Sequence, residues 1–151
     1  LLSMPVMPIK QIDHGTREYQ QMVELRYEIL RKPLHLVFDQ GELDKERDDI
    51  LIGAFEEEKI LGCCLLSRID KSAVRLRQMA VQNNLQGKGI GASMMHFAEN
   101  VARDAGFKTI LMHARKTAIG FYEKLGYRIS GGEFLEISLP HFVMIKPLDQ
   151  F

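Results

Sequence analysis

The feature that most constrains this chain is the run Gln86-Gly87-Lys88-Gly89-Ile90-Gly91-Ala92, with a glycine at every second position from 87 to 91. Before it, Ala73–Val81 alternates in character, with Val74, Leu76 and Gln78 assigned to one face and Arg75, Arg77 and Met79 to the other, which is the period of a strand. After it, apolar residues at 90, 94, 97, 98 and 101 recur at helical spacing, and Gly106 follows as a C-cap, so a helix is expected over Gly87–Ala105. Glycines at a strand-to-helix junction let the backbone approach a ligand closely. The free N–H groups of the helix then point at one spot, with the positive end of the helix dipole behind them. Such a junction is an anion site suited to phosphate oxygens, and Lys88 adds charge beside it.

The rest of the chain supplies strands and helices in alternation. Val6–Ile12, interrupted by Pro8, is expected to be an edge strand. Thr16–Arg31 reads as a helix capped by Thr16, with Tyr19, Met22, Val23, Tyr27 and Leu30 on one face and Pro33 ending it. Residues 32–49 read as a loop or short polar helix whose acids, among them Asp44, Glu46, Asp48 and Asp49, form a solvated face. Ile50–Phe55, Ile60–Ile69 and Ala73–Val81 form a meander joined by polar turns. Phe107–His113 is a strand, Thr117–Leu125 a helix stopped by Gly126, and Tyr127–Ile129 and His141–Ile145 are closing strands around a Gly131-Gly132 turn. With 151 residues, no repeat and no linker, the expectation is one domain, 1–151, of α/β class with a mixed sheet and helices on both sides.

Composition narrows the partners. Lys plus Arg and Asp plus Glu are each 20, so the basic excess of a non-specific nucleic-acid binder is missing and no nucleic-acid partner is expected. Cys63 and Cys64 are adjacent, so a bond between them would be strained, and no metal-ligand spacing occurs; two reduced strand residues and no metal are expected. No apolar run approaches the ~20 residues of a membrane span. The opening residues lack the basic and apolar regions of a signal peptide, so a cytoplasmic location is expected.

Three phosphate-binding patterns compete for the glycine run. A P-loop needs Ser or Thr after its Gly-Lys, and Lys88 is followed by Gly89. Gly87, Gly89 and Ala92 match the dinucleotide pattern, yet the next strand ends Met112-His113-Ala114-Arg115, without the acid that would hold a ribose. The third pattern is Gln or Arg, two residues, Gly, one residue, Gly or Ala, and Gln86, Gly89 and Gly91 fit it directly. That is the coenzyme A loop of the GNAT acetyltransferases. Arg77-Gln78-Met79-Ala80-Val81 also resembles the central strand of that superfamily, and Ala118-Ile119-Gly120-Phe121-Tyr122-Glu123-Lys124-Leu125-Gly126-Tyr127 resembles its second signature. The resemblance covers roughly residues 50–147. Within the superfamily the chain resembles the branch of glyphosate N-acetyltransferase, on Leu25–Arg31, Leu76–Met79, Ala114-Arg115 and Pro140-His141.

The resemblance implies a mixed, mostly antiparallel central sheet flanked by helices on both faces, with acetyl-CoA as co-substrate. It implies that the backbone of Met79, Ala80 and Val81 pairs with the pantetheine arm, and that Gln86, Gly87, Lys88, Gly89, Ile90, Gly91 and Ala92 hold the pyrophosphate. Tyr122 would protonate the departing sulfur and His141 would deprotonate the amine, while Arg31, Arg77 and Arg115 would gather an acidic small-molecule acceptor. A homodimer is compatible with this reading. Each residue also has a plain structural alternative. Tyr122 could be core, His141 and His113 satisfied strand residues, Arg77 part of an exposed strand face with Arg75, and Arg31 a helix C-terminal cation. Cys64 has no placed partner to make it a nucleophile. A coenzyme A-binding or sensing module without catalysis, and a transferase acting on protein or peptide amines, remain as alternative functions.

Overall fold

The computed structural model describes residues 8–148. Its strands are β1 (Ile9–Ile12), β2 (Ile50–Glu56), β3 (Lys59–Arg68), β4 (Ala73–Val81), β5 (Thr109–Arg115), β6 (Arg128–Glu136) and β7 (Leu139–Pro147). They form one sheet in the order β1-β2-β3-β4-β5-β7-β6. Pairing is antiparallel between β1 and β2, β5 and β7, and β6 and β7, and parallel between β4 and β5. The helices are α1 (Arg17–Arg26), α2 (Gln40–Asp44), α3 (Ile90–Asp104) and α4 (Ile119–Lys124). The expected mixed sheet flanked by helices is therefore present. Val6 and Met7, at the start of the expected first strand, lie outside the described residues.

Two compact units divide the chain. The first runs to Leu65 and includes Gln78–Phe97. Thr16 caps α1 as expected, its hydroxyl accepting from the amide of Tyr19 at 3.2 Å. Tyr19, Met22 and Leu25 of α1 pack with Ile12, Leu51 and Phe55 in a buried cluster, each side chain contributing about 1.5–3 kcal/mol by leaving water. α1 ends at Arg26, where expectation carried it to Arg31; a π-helical turn, Tyr27–Arg31, and a tight turn containing Pro33 follow. Gly62 of β3 is required by close approach, because a Cβ there would meet Met94 Cε at 2.7 Å and the Ala80 carbonyl at 3.2 Å. Its bare backbone lets the start of α3 settle on the sheet.

The second unit comprises Leu66–Arg77 and the residues from Ala98 onward. Here β6 and β7 form a hairpin much longer than the sequence suggested. Glu136 pairs with Leu139, so the turn is Ile137-Ser138, whose φ values of 47° and 62° are those of a two-residue left-handed hairpin turn. Gly131-Gly132 is not that turn. The pair lies inside β6, at the register shift between Ser130 and Phe134, where glycine serves a bulge.

Candidate active site

In the first unit, the glycine run folds as a tight loop from the end of β4 to α3. Its first residue explains why the pattern opens with Gln. The Gln86 side-chain amide donates to the Val81 carbonyl at 3.1 Å and to Asn83 Oδ1 at 3.4 Å, tying the loop to the strand it leaves. Gly89 has φ 88°, a left-handed value that side chains resist, and a Cβ there would meet open space. The demand for glycine is thus conformational, and the surface above the loop is clear. The Gly89 carbonyl accepts from the Ser93 amide at 3.0 Å, which opens the helix. The amides of Ile90, Gly91 and Ala92 precede that first helical bond, so they belong to the set a helix leaves for outside acceptors. Ile90 is buried and anchors the turn, while Gln86, Gly87, Lys88 and Gly89 are exposed.

Upstream, Met79, Ala80 and Val81 end β4, and the residue before them is unusual. Gln78 has φ 58° within the strand, a conformation costing roughly 1–2 kcal/mol for a residue with a Cβ. The pairing of β4 with β5 runs from Ala73–Thr109 to Leu76–Met112, and β4 continues to Val81.

Also in this unit, Arg31 closes the π-helical turn. It donates to Glu42 at 2.8 Å and to the Val37 carbonyl at 3.3 Å, and its guanidinium lies 4.1 Å from the Phe38 ring centre. Of the acids of 42–49, Asp44 and Asp48 are exposed as expected, whereas Glu42 and Glu46 are taken up by arginines. Glu42 holds Arg31, and Glu46 is 1% exposed and binds fully buried Arg26 through two bonds of 2.8 and 2.6 Å. Tyr19 adds a third bond to Glu46 at 2.7 Å. Burial lowers the pKa of the Arg26 guanidinium, but the bonds and charge of Glu46 outweigh it and the net direction is up. The sequence reading missed this pair. The available signal was an arginine seven residues after Tyr19 and four after Met22, on the apolar face of α1.

The second unit holds the other candidates. His141 of β7 is 3% exposed and pairs in register with Arg115 of β5 on one side and Phe134 of β6 on the other. Its Nδ1 lies 2.8 Å from the Leu139 carbonyl, which can only accept, so Nδ1 carries the proton. In the neutral ring the lone pair is then on Nε2, which stands 3.7 Å from Glu136 Oε2. The other oxygen of Glu136 accepts from His113 Nδ1 at 2.8 Å, and Arg75 Nη2 stands 3.7 Å from it. Burial pushes the Glu136 carboxyl up, but the bond and charge of His113, with Arg75 and His141, win and hold it below the usual carboxylate range. His113 is a satisfied strand residue, as its alternative reading had it. Glu136 was not singled out from the sequence, where nothing near it marks a role. Arg77 donates to the Ser67 hydroxyl at 3.1 Å.

Tyr122 is buried on α4, edge-on to Phe121 at 4.9 Å and to Tyr127 at 6.0 Å. Its carbonyl accepts from the Leu125 and Tyr127 amides as the helix closes at Gly126. Buried Glu99 and Tyr127, with half-buried Lys146, brace this end of α4. Glu99 accepts from Tyr127 at 2.9 Å and from Lys146 at 2.9 Å, and Lys146 also reaches the Leu125 carbonyl.

Residues 14–127 match the family model of the acetyltransferase (GNAT) family. The chain belongs to that family. The co-substrate of that family's reaction is acetyl-CoA. Among similar proteins, the uncharacterized N-acetyltransferase YjcF of Bacillus subtilis (strain 168) is 31% identical over 106 residues, 70% of this chain and 74% of YjcF. The uncharacterized protein YyaT of the same organism is 30% identical over 84 residues, 56% of this chain and 57% of YyaT, so the match spans little more than half of that relative. Solved structures share the fold at low identity. An aminoglycoside 6'-N-acetyltransferase complexed with coenzyme A gives a TM-score of 0.81 at 17% identity, covering 96% of this chain and 99% of that one. An acyl-CoA N-acyltransferase from Pseudomonas aeruginosa gives 0.80 at 17%, covering 93% and 99%. No helix among the described residues is long and apolar enough to cross a membrane. Among the same residues, no group of three or more His, Cys, Asp or Glu is placed to hold a metal.

Proposed function

We propose that this chain, acting as one domain, moves an acetyl group from acetyl-CoA to a primary or secondary amine of a small acidic molecule, by direct attack in a ternary complex. Acyl transfer to an amine needs a neutral nucleophile, a donor for the carbonyl oxygen, a proton for the leaving sulfur and close positioning of the two reactants. His141 meets the first need. The observation that carries the catalytic reading is its Nδ1–H held on the Leu139 carbonyl at 2.8 Å, which leaves Nε2 to accept a proton from the amine. Ionised Glu136 beside Nε2 supports the cation that this step creates.

Gln86, Gly87, Lys88, Gly89, Ile90, Gly91 and Ala92 hold the pyrophosphate through loop and helix amides, a role supported by the clear surface above Gly89. The backbone of Met79, Ala80 and Val81 pairs with the pantetheine arm, and one amide there polarises the acetyl carbonyl. Support comes from β4 continuing to Val81 past its pairing with β5. Tyr122 gives its phenolic proton to the sulfur. Arg77 and Arg115 select a carboxylate or phosphate on the acceptor, Arg115 lying in register with His141. Arg31 is assigned the same role, and its present bond to Glu42 means that a substrate anion has to compete for it.

The test is acetyl-CoA-dependent thiol release by the purified chain across amines with and without carboxylate or phosphate, polyamines, amino acids and peptides. Turnover concentrated on the anionic small amines is expected. A preference for polyamines, or turnover on peptides alone, would refute the assignment of acceptor.

A further inference from the structure

The geometry points to Gln78 as a positioning residue for acetyl-CoA: the buried Glu46–Arg26 pair holds its side chain and so fixes the left-handed kink that aims the backbone of Met79–Val81. This rests on the proposed cofactor role of that backbone. Among the described residues, the non-glycine positions with left-handed φ are His35, Glu57, Gln78, Ile137 and Ser138. His35 caps a short helical turn, Glu57 lies in the β2–β3 turn, and Ile137 and Ser138 form the β6–β7 turn. Gln78 alone has this conformation inside a strand, where neither a turn nor a glycine explains it. A residue kept in such a conformation has to be held there by its surroundings, and such residues cluster at working sites.

The holding groups are all on the page. Arg26 is fully buried, and Glu46 takes both of its terminal nitrogens, at 2.8 and 2.6 Å. Tyr19 donates to the same carboxylate at 2.7 Å, and the Phe38 ring lies 4.8 Å from the guanidinium carbon. With both terminal nitrogens bound to Glu46 and the ring packed alongside, the orientation of Arg26 is set, and its Nε–H points at Gln78 Oε1 across 3.4 Å. The Gln78 carbonyl is met from β3 by the Cys63 thiol at 3.7 Å. Burial pushes that thiol up to about 12, so it keeps its proton and serves as a donor. Side chain and carbonyl of Gln78 are therefore both engaged at the kink. A buried ion pair is weak evidence of a stability device, since apolar residues fill such space as well. Its role here is the geometry it imposes on the next three residues.

The test compares Gln78→Gly with Gln78→Glu. Glycine accepts the left-handed φ without strain but lacks the acceptor, whereas Glu keeps an acceptor at the same reach. In Gln78→Gly the amides of 79–81 are expected to exchange about tenfold faster, with no drop in thermal midpoint. Affinity for coenzyme A by calorimetry is expected to weaken about tenfold, as the pre-aimed conformer falls to about a tenth of the population. Gln78→Glu is expected to stay near wild type in both readouts. If Gln78→Gly exchanges and binds as wild type does, or Gln78→Glu fails as badly as Gln78→Gly, the positioning role is wrong. A wild-type chain that binds no coenzyme A would refute the cofactor reading instead, and the exchange rates would still decide whether Gln78 is held.

Discussion

Glu46→Ala gives the sharpest stability test, because sequence and structure disagree about what Glu46 does. As one of several acids on a solvated face, its removal would change stability by no more than about 0.5 kcal/mol. In the structure it is 1% exposed, with two bonds to fully buried Arg26 and one from Tyr19. Truncation strands a guanidinium in the interior and takes the short acceptor away from the Tyr19 hydroxyl. Breaking a buried pair from one side typically costs about 3–5 kcal/mol. At ~2–4 °C per kcal/mol for a chain of this size, the thermal midpoint is expected to fall by about 6–20 °C. Urea unfolding at neutral pH, followed by far-UV circular dichroism, measures the free energy directly. Replacing both partners with apolar residues, as Arg26→Met with Glu46→Leu, is expected to cost less than Glu46→Ala alone. A loss below about 1 kcal/mol for Glu46→Ala would mean that water or rearrangement reaches Arg26, and the argument from burial would fail.

Gly89→Glu places a side chain on a left-handed backbone and a carboxylate where phosphate oxygens are proposed to lie, so calorimetry is expected to show acetyl-CoA binding lost; unchanged affinity would sink the placement. Tyr122→Phe removes one hydroxyl with little change in packing, and kcat is expected to drop while acetyl-CoA affinity barely moves. Equal rates would make Tyr122 a core residue only. Glu136 has its carboxyl held below the usual range by His113 and Arg75, so its contribution to stability is present above the unfolded pKa of ~4.3 and is lost as pH falls through the lower folded value. Urea midpoints of wild type and Glu136→Gln are therefore expected to differ at neutral pH and to converge in acid; a constant gap would contradict the linkage.

Local chemistry made much of the fold legible. Thr16 announced its helix because a hydroxyl before an apolar-periodic run has an amide to bind, and it binds the Tyr19 amide. The strands of the meander showed through alternation, and the loop at 86–91 through glycines that left-handed backbone requires. The errors also have physical causes. Gly131-Gly132 looked like a turn because glycine suits both turns and bulges, and only the strand register tells them apart. The true turn, Ile137-Ser138, carries a β-branched residue at a left-handed position, against local preference. Arg26–Glu46 joins positions 20 residues apart, and a charged residue on an apolar face does not name its partner. At the proposed site, His141 was singled out by the resemblance alone. The Leu139 carbonyl that sets its tautomer, and Glu136 beside it, emerged only from the hairpin fold.

The most direct test of the central claim is thiol release from acetyl-CoA by wild type and His141→Ala, with an anionic amine acceptor, across pH. Wild type is expected to turn over with a rate that falls toward acid, because a base must be unprotonated to act. His141→Ala is expected to lose about 10²–10⁴-fold in kcat, keep its acetyl-CoA affinity and lose the acidic limb. A variant that retains both the full rate and that limb would contradict the account and make His141 a structural residue of β7.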